Sequence, residues 1–373
     1  MAANLKISIC TGPILPVPAI KGGAVHRFWA QMAPAFASAG HDVHVYARAD
    51  ASQRDSEFSD HVHWHRAGGY AQATSALWNM ARSWRDARHL APRLAPADVL
   101  ISNDIALPRV IAKRPETGRL IIALGRQPKG QLRWYPRVDG IAAASQSVAE
   151  QVALQAPALA TCTTVLPYAI DTSVFHTDAA TPRDADALLF AGRLHPEKGL
   201  LLLIDAFRIL HARRPSRRLR IIGPWQTAQG GAGPAFREAL RTRALGLPVQ
   251  WSEPEFDAAR LAAIYREHAV FLYPSLAEQG ETFGLAPLEA MACGAVPVTS
   301  ALPCFRDYLK PGHNGDMFDH RAENPALALA DATERALAAA GSAGAALHAT
   351  SAAFSVPAVA TRWLEALSNW SRV

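Results

Sequence analysis

Short apolar runs alternate with helical stretches along this chain, and the alternation starts twice. The first series opens with a strand at Leu5–Cys10, a loop rich in proline and glycine from Thr11 to Gly23, and a helix from Ala24 to Ala39 that stops at Gly40. Strands then fall at Asp42–Tyr46, Val99–Ser102, Leu120–Leu124 and Gly140–Ala144, with a helix from Val148 to about Leu154. The second series places strands at Leu188–Ala191, Leu219–Gly223 and Val270–Tyr273, and helices at Leu200–Arg213 and Pro234–Leu245. Strands that alternate with helices pair in parallel, because the helix is the crossover that brings the chain back to the same end of the sheet. Such a sheet is covered on both faces, which is why its strands are apolar throughout. The predicted class is α/β, as two Rossmann-like domains joined near residues 168–185. A length of 373 residues fits that number. Ligands of such sheets sit beyond the carboxyl ends of the strands, so the loops that follow strands carry the function.

Composition narrows the classes further. The chain is 50% hydrophobic and 19% charged, enough for sizeable cores and far from disorder. Cys10, Cys162, Cys293 and Cys304 lack CxxC spacing, which argues for a reducing compartment and against a disulfide framework or a cysteine zinc site. The opening MAANLKISIC reads as a strand, not a signal peptide, and no apolar run is long enough to span a bilayer. The expected location is cytoplasmic. Residues 1–172 hold 18 Lys and Arg against 12 Asp and Glu, while the remainder is balanced at 20 to 20, so the whole excess of +6 lies in the first half. An anionic partner on that side is one reading; a solvated basic surface is the other.

Residues 274–299, PSLAEQGETFGLAPLEAMACGAVPVT, are the most informative segment. Leu285, Leu288, Met291 and Ala292 recur at helical spacing, and Gly294 stands where a glycine ends a helix. The helix therefore begins near Gly284. Its free N–H groups suit a phosphate, and a glycine there admits close approach. Glu281 precedes that point, and Glu289 falls about two turns in, on the face away from the leucines. Upstream, the strand at 188–191 is followed by GRLHPEKG, residues 192–199. Arg193 and Lys198 at a strand's carboxyl end suit a diphosphate, although a turn with local Arg–Glu pairing has the same composition. Gly22-Gly23, at the end of the first βα loop, leave backbone N–H groups open to a phosphate or a sugar. No GxGxxG dinucleotide fingerprint is present.

The 274–299 block resembles the E-x7-E signature of the retaining GT-B glycosyltransferases, especially family 4. The resemblance implies that Glu281 lies by the donor sugar, that Glu289 holds the ribose hydroxyls of the nucleotide, and that Phe283, Gly284 and Leu285 belong to the donor site. Arg193 and Lys198 resemble the family's R-x4-K pair, which stabilises the leaving nucleoside diphosphate. Gly22 and Gly23 match its glycine-rich loop. The segment VLPYAIDTSVF, residues 165–175, resembles the family's interdomain linker, and the stretch with Trp363, Leu364, Leu367 and Trp370 resembles its final helix, which crosses back onto the first domain. The domains implied are 1–170 for the acceptor, 171–355 for the nucleotide-sugar, and a helix at 356–373, with the two domains facing a cleft. The function implied is retaining transfer of a hexose from a UDP- or GDP-sugar to a glycan or lipid-linked acceptor, in polysaccharide or glycolipid biosynthesis. No cofactor, metal or nucleic acid is expected. A non-catalytic sugar-binding paralogue and a sugar-nucleotide epimerase are the alternatives.

Three further features bear on this expectation. Residues 77–94 carry Arg82, Arg85, Arg88 and Arg93 with Trp78 and Trp84, and a second basic-aromatic patch joins Arg126, Lys129, Arg133, Trp134 and Arg137. These suit peripheral contact with an anionic membrane on its inner face, or ordinary helices with buried tryptophans. His61, His63 and His65 alternate on a strand face, with Val62 and Trp64 on the buried side. Three histidines can bind metal, but the implied chemistry does not call for one. The sequence also departs from the family. Gly125-Arg126-Gln127 stands where many members have a histidine, Ser102-Asn103-Asp104 ends the preceding strand, and Pro303-Cys304 replaces a usual Pro-Glu.

Overall fold

The computed structural model describes residues 4–20, 23–71, 73 and 75–370. Two compact units emerge. One comprises residues 1–169 with 356–373, the other residues 170–355.

The first unit is built on β1 (Lys6–Cys10), α1 (Ala24–Ser38), β2 (Asp42–Ala47), β3 (Ser56–Ser59), β4 (Val62–Arg66), α2 (Ala76–Leu90), β5 (Val99–Ser102), α3 (Leu107–Val110), β6 (Arg119–Leu124), β7 (Gly140–Ala143), α4 (Gln146–Gln155) and β8 (Thr163–Val165). Its sheet runs β3-β4-β2-β1-β5-β6-β7-β8, parallel except for the antiparallel edge strand β3. The central strands are buried on both faces, as a sheet sandwiched between helices requires. One face packs Leu100, Ile122, Ile141, Val148 and Val152 into a core. The other is covered by α1, which contributes Trp29, Met32 and Phe36.

The second unit contains β9 (Asp184–Ala191), α5 (Leu200–Arg213), β10 (Arg218–Ile222), α6 (Pro234–Arg243), β11 (Val249–Ser252), α7 (Ala258–Glu267), β12 (His268–Tyr273), α8 (Leu285–Ala292), β13 (Val296–Ser300), β14 (Asp316–Phe318), α9 (Pro325–Ala339) and α10 (Gly344–Ala353). All pairs are parallel, in the order β11-β10-β9-β12-β13-β14. The chain builds outward from β9 to one edge, then returns to β12 on the other side. The crevice between β9 and β12 is thus the switch point of this sheet, where ligands of such folds bind.

The last helix, α11 (Val356–Asn369), packs within the first unit, as the resemblance implied for the final helix. Trp363 is 2% exposed, with its ring 5.2 Å from Trp29 and 6.2 Å from Phe28. Trp370 donates its indole N–H to the carbonyl of Cys162, and Arg119 donates to the carbonyl of Leu367. Gly140 makes room for Trp370, since a side chain there would begin 2.6 Å from the indole. The four cysteines are all free thiols. Among the described residues no helix is long and apolar enough to cross a membrane.

Candidate functional site

Three of the residues expected on the donor side gather at the switch point of the second unit. Arg193 and Lys198 lie in the loop after β9, and Glu281 lies in the loop after β12. Lys198 donates from Nζ to Glu281 Oε2 at 2.6 Å and to the Tyr273 hydroxyl at 2.8 Å. Both charged side chains are 10% exposed, so this is a nearly buried ion pair. An ammonium has three N–H groups, and two are engaged here, which leaves one for a ligand. Tyr273 is the last residue of β12. Its phenol pKa is raised well above the usual tyrosine value, first by burial and then by the negative charge of Glu281, so it stays protonated. Its position, the end of the strand on the far side of the switch point, is the signal that marks it; by pattern alone it is one more strand residue.

Two loops hold this cluster in register. The Leu276 N–H donates to the Glu197 carbonyl at 2.7 Å, and the Ser275 hydroxyl reaches the same oxygen. Gly199 (φ 69°) lets the loop after β9 press against the backbone at Pro274, where a Cβ would lie 2.0 Å from the carbonyl oxygen. Arg193 is more open. It donates to the Gly230 carbonyl at 2.9 Å and pairs with Glu197, four residues on, with its side chain 44% exposed. The local Arg–Glu pairing is therefore present, and Arg193 is only partly committed to it.

The glutamate segment folds as a loop and then α8. Gly284 caps α8 with φ 80°, and a Cβ there would meet the Phe305 ring at 2.4 Å. The Tyr308 hydroxyl donates to the Gly284 carbonyl. Leu285 opens the helix, half-buried. Two of these residues are deeply buried. The Phe283 side chain is 1% exposed and packs against Tyr308 and Phe354, with centroids 5.5 and 5.8 Å away, so its ring belongs to the core. Glu289, on the helix face away from the leucines, is only 4% exposed. The cause is that α8 is enclosed on several sides, by α7, α10 and β13, so its residues from Pro287 to Ala292 are buried whichever way they point.

In the first unit, Gly22 lies outside the described residues. Gly23 caps α1 with φ 104° and accepts the first helical bond, from the Arg27 N–H. Gly125 follows β6, and its missing side chain is replaced in space by Tyr168, whose hydroxyl lies 2.0 Å from where a Cβ would be. A histidine at 125 would have no room beside that phenol. Asn103 accepts from the Trp29 indole and donates to the Ala123 carbonyl. Asp104 accepts from the N–H groups of Ala106 and Leu107 and starts α3. Of the three strand histidines only His63 and His65 lie on β4; His61 sits in the preceding turn with φ 61°. Val62 and Trp64 are buried, as expected.

His26, on the first turn of α1, is 8% exposed, and neither ring nitrogen has a partner among the described residues. Burial, helped by the charge of Arg126, lowers its pKa from 6.5 to about 4. Between those values the unfolded chain takes up a proton that the folded chain does not. Stability is therefore full above 6.5 and is lost as pH falls towards 4, by roughly 3 kcal/mol from a shift of this size. Asp104 works in the opposite sense, since burial pushes its carboxyl up to about 6. Comparing urea unfolding of the wild type and His26→Leu from pH 7 to pH 4 isolates the histidine. The gap between the two should shift in favour of the variant as pH falls, and a gap constant with pH would show that His26 does not drive the acid response.

Residues 173–340 match the profile described as glycosyl transferases group 1. A D-inositol 3-phosphate glycosyltransferase of Streptomyces griseus is 36% identical over 200 residues, covering 51% of this chain and 41% of the relative. A phosphatidyl-myo-inositol mannosyltransferase of Mycobacterium tuberculosis is 33% identical over 167 residues, covering 44% and 41%. The chain thus aligns with less than half the length of these curated relatives. Among solved structures, a sucrose-phosphate synthase from Thermosynechococcus elongatus superposes with a TM-score of 0.76 at 20% identity, covering 98% of this chain and 99% of that one. A trehalose-6-phosphate protein of E. coli, bound with UDP-2-fluoro glucose, superposes at 0.74 with 16% identity, covering 97% and 98%. The second unit belongs to the group 1 glycosyl transferases, and the chain has the GT-B fold.

Proposed function

We propose that this protein is a retaining hexosyltransferase that moves a sugar from a nucleoside-diphosphate sugar to a glycan or lipid-linked acceptor. The observation that carries this reading is the Lys198–Glu281 pair, held by Tyr273 between the carboxyl ends of β9 and β12. A cation and a carboxylate at a switch point suit a donor that has a diphosphate at one end and a sugar at the other.

In the proposed reaction the bond between the anomeric carbon and the diphosphate breaks first. Arg193, the third N–H of Lys198 and the N-terminal N–H groups of α8 stabilise the departing charge, and each such donor is worth about 3 kcal/mol. The acceptor oxygen attacks from the same face, and the departing phosphate takes its proton. These protein cations supply the charge that a metal supplies elsewhere, so no metal and no cofactor enters the proposal. Glu281 is assigned to the sugar, and the buried Glu289 to the ribose. A UDP-sugar is the first donor to test, because a fold neighbour was solved with one; a GDP-sugar is the second. The chain carries Lys198, Arg193, Glu281 and Glu289 together, which disfavours a non-catalytic paralogue or an epimerase.

The test is titration of UDP and GDP into the wild type and Glu289→Ala, followed by proton NMR of the product. Glu289→Ala should weaken the nucleoside diphosphate by about tenfold or more, roughly 1.4 kcal/mol. Glu281→Ala should bind it nearly normally and turn over slowly, because a group acting on the reacting sugar shows in turnover. Failure of both nucleotides to bind would overturn the donor assignment, and an inverted anomeric linkage would overturn retention.

For the acceptor we propose peripheral contact with an anionic bilayer. Leu77, Trp78 and Met80 on α2 are exposed beside exposed Arg85 and Arg88, and Trp134 is exposed beside Arg133. Each basic residue near an anionic surface contributes about 1 kcal/mol, screened by salt. The protein should pellet with anionic vesicles at low salt and be released at high salt. If it stays in the supernatant at low salt, the acceptor is soluble.

A further inference from the structure

We propose that Asp42, His44 and His63, on one face of β2 and β4, form a binding site for a single late first-row divalent ion such as zinc. The strands are parallel neighbours with His44 opposite His63 and Tyr46 opposite His65. Side chains alternate along a strand, so Asp42, His44 and Tyr46 share their face with His63 and His65. His44 Nε2 lies 3.2 Å from Asp42 Oδ1, and His63 Nε2 lies 3.9 Å from the same oxygen. All three ligand atoms fall within 4.8 Å of one another.

Around a tetrahedral zinc with bonds of about 2.0–2.1 Å, ligand atoms stand roughly 3.3 Å apart. The His44–Asp42 spacing already meets that, and His63 needs only a small swing. It is the most exposed of the three at 44%, and the swing slides its ring along its stack on His44, centroids 4.6 Å apart, and past Phe58. Two imidazoles and a carboxylate suit zinc, cobalt or nickel, and leave a position for water. Lys6 approaches the other carboxylate oxygen, Oδ2, at 3.7 Å, which leaves Oδ1 to the ion.

An outer tier supports the choice of His44 as a ligand. Its Nδ1 is 3.0 Å from His65 Nε2. With Nε2 on the ion, the His44 proton sits on Nδ1 and is donated to His65, which fixes the ring as outer partners of metal-bound histidines do. His65 is steadied in turn by stacking on Tyr46, centroids 4.7 Å apart. An ion here would pin β4, beyond which lies only the short edge strand β3, to the body of the sheet. The site is independent of the proposed transfer chemistry, and its test does not read activity.

The experiment is calorimetric titration of zinc, and optical titration of cobalt, into the full chain without a polyhistidine tag after chelator treatment. One equivalent should bind and give the d–d bands of tetrahedral cobalt. His63→Asn and Asp42→Asn should each weaken binding by about a hundredfold or abolish it. His65→Gln should keep the stoichiometry and lose about 10- to 100-fold in affinity. His61→Asn, in the turn outside the set, should bind like the wild type. Circular dichroism confirms folding, and the exposure of His63 makes its variant the safest reporter. No stoichiometric binding in the wild type, or binding unchanged in both His63→Asn and Asp42→Asn, would overturn the proposal.

Discussion

Lys198→Ala is expected to lose turnover by about a hundredfold or more, because it removes the ammonium placed to meet the leaving diphosphate. It should also lose stability. Lys198 is 8% exposed and sits against Glu281, so its removal leaves a buried carboxylate unpaired. Breaking one side of a buried pair commonly costs about 3–5 kcal/mol. The two effects separate in the double variant Lys198→Ala/Glu281→Gln, which should regain much of the stability and none of the turnover. Arg193→Ala should be milder in both respects, since its guanidinium is half-exposed and its partners lie in surface loops. The measurements are single-substrate kinetics and urea melts. Near-normal turnover in Lys198→Ala would remove the leaving-group role.

Gly199→Ala is the second large effect, and it acts through the backbone. A left-handed residue with a side chain costs about 1–2 kcal/mol on its own. Here the added carbon would also lie 2.0 Å from the Pro274 carbonyl oxygen, so one of the two loops must move. The expected loss is about 3 kcal/mol or more. Gly246→Ala is the control. Gly246 has φ 78° with open space around it, so it should cost only the conformational part. If both variants melt alike, the two loops do not press together at Gly199. If Gly199→Ala is far weaker, its turnover should fall too, because the same contact aligns Lys198 with Glu281.

Much of this was readable from the amino acids, for physical reasons that differ by element. Val99–Ser102 and Leu200–Arg213 fall where their patterns put them, because a strand buried on both faces and a helix bearing a leucine-rich face leave unambiguous traces. The edge strands Ser56–Ser59 and Thr163–Val165 were missed. They are short, polar or half-exposed, and an edge needs no apolar signature. Helices α9 and α10 were missed because alanine dominates them and blurs the contrast between faces. The placement of Arg193, Lys198 and Glu281 in loops after β9 and β12 was legible because the strands that precede them are plainly apolar. The burial of Glu289 and of the Phe283 ring could not be read off: periodicity describes a helix with one covered side, and it cannot report the additional walls that α10 and the Phe283–Tyr308–Phe354 cluster supply. Tyr273 is marked only by its place at the end of a strand and Tyr168 by nothing local, since each acts through a neighbour distant in sequence.

The discontinuity of the first unit sets an order of events during synthesis. Its sheet is complete by Val165, yet its core still lacks Trp363, which arrives only with α11. Every residue of the second unit, 170–355, emerges from the ribosome in between. The nascent first unit must therefore wait with Trp29, Phe28 and Phe36 uncovered by their last partner while an entire neighbour is made and folds. A chain stalled before residue 356 would hold a finished second unit beside an unfinished first one, with an aromatic groove open to chaperones or to other nascent chains.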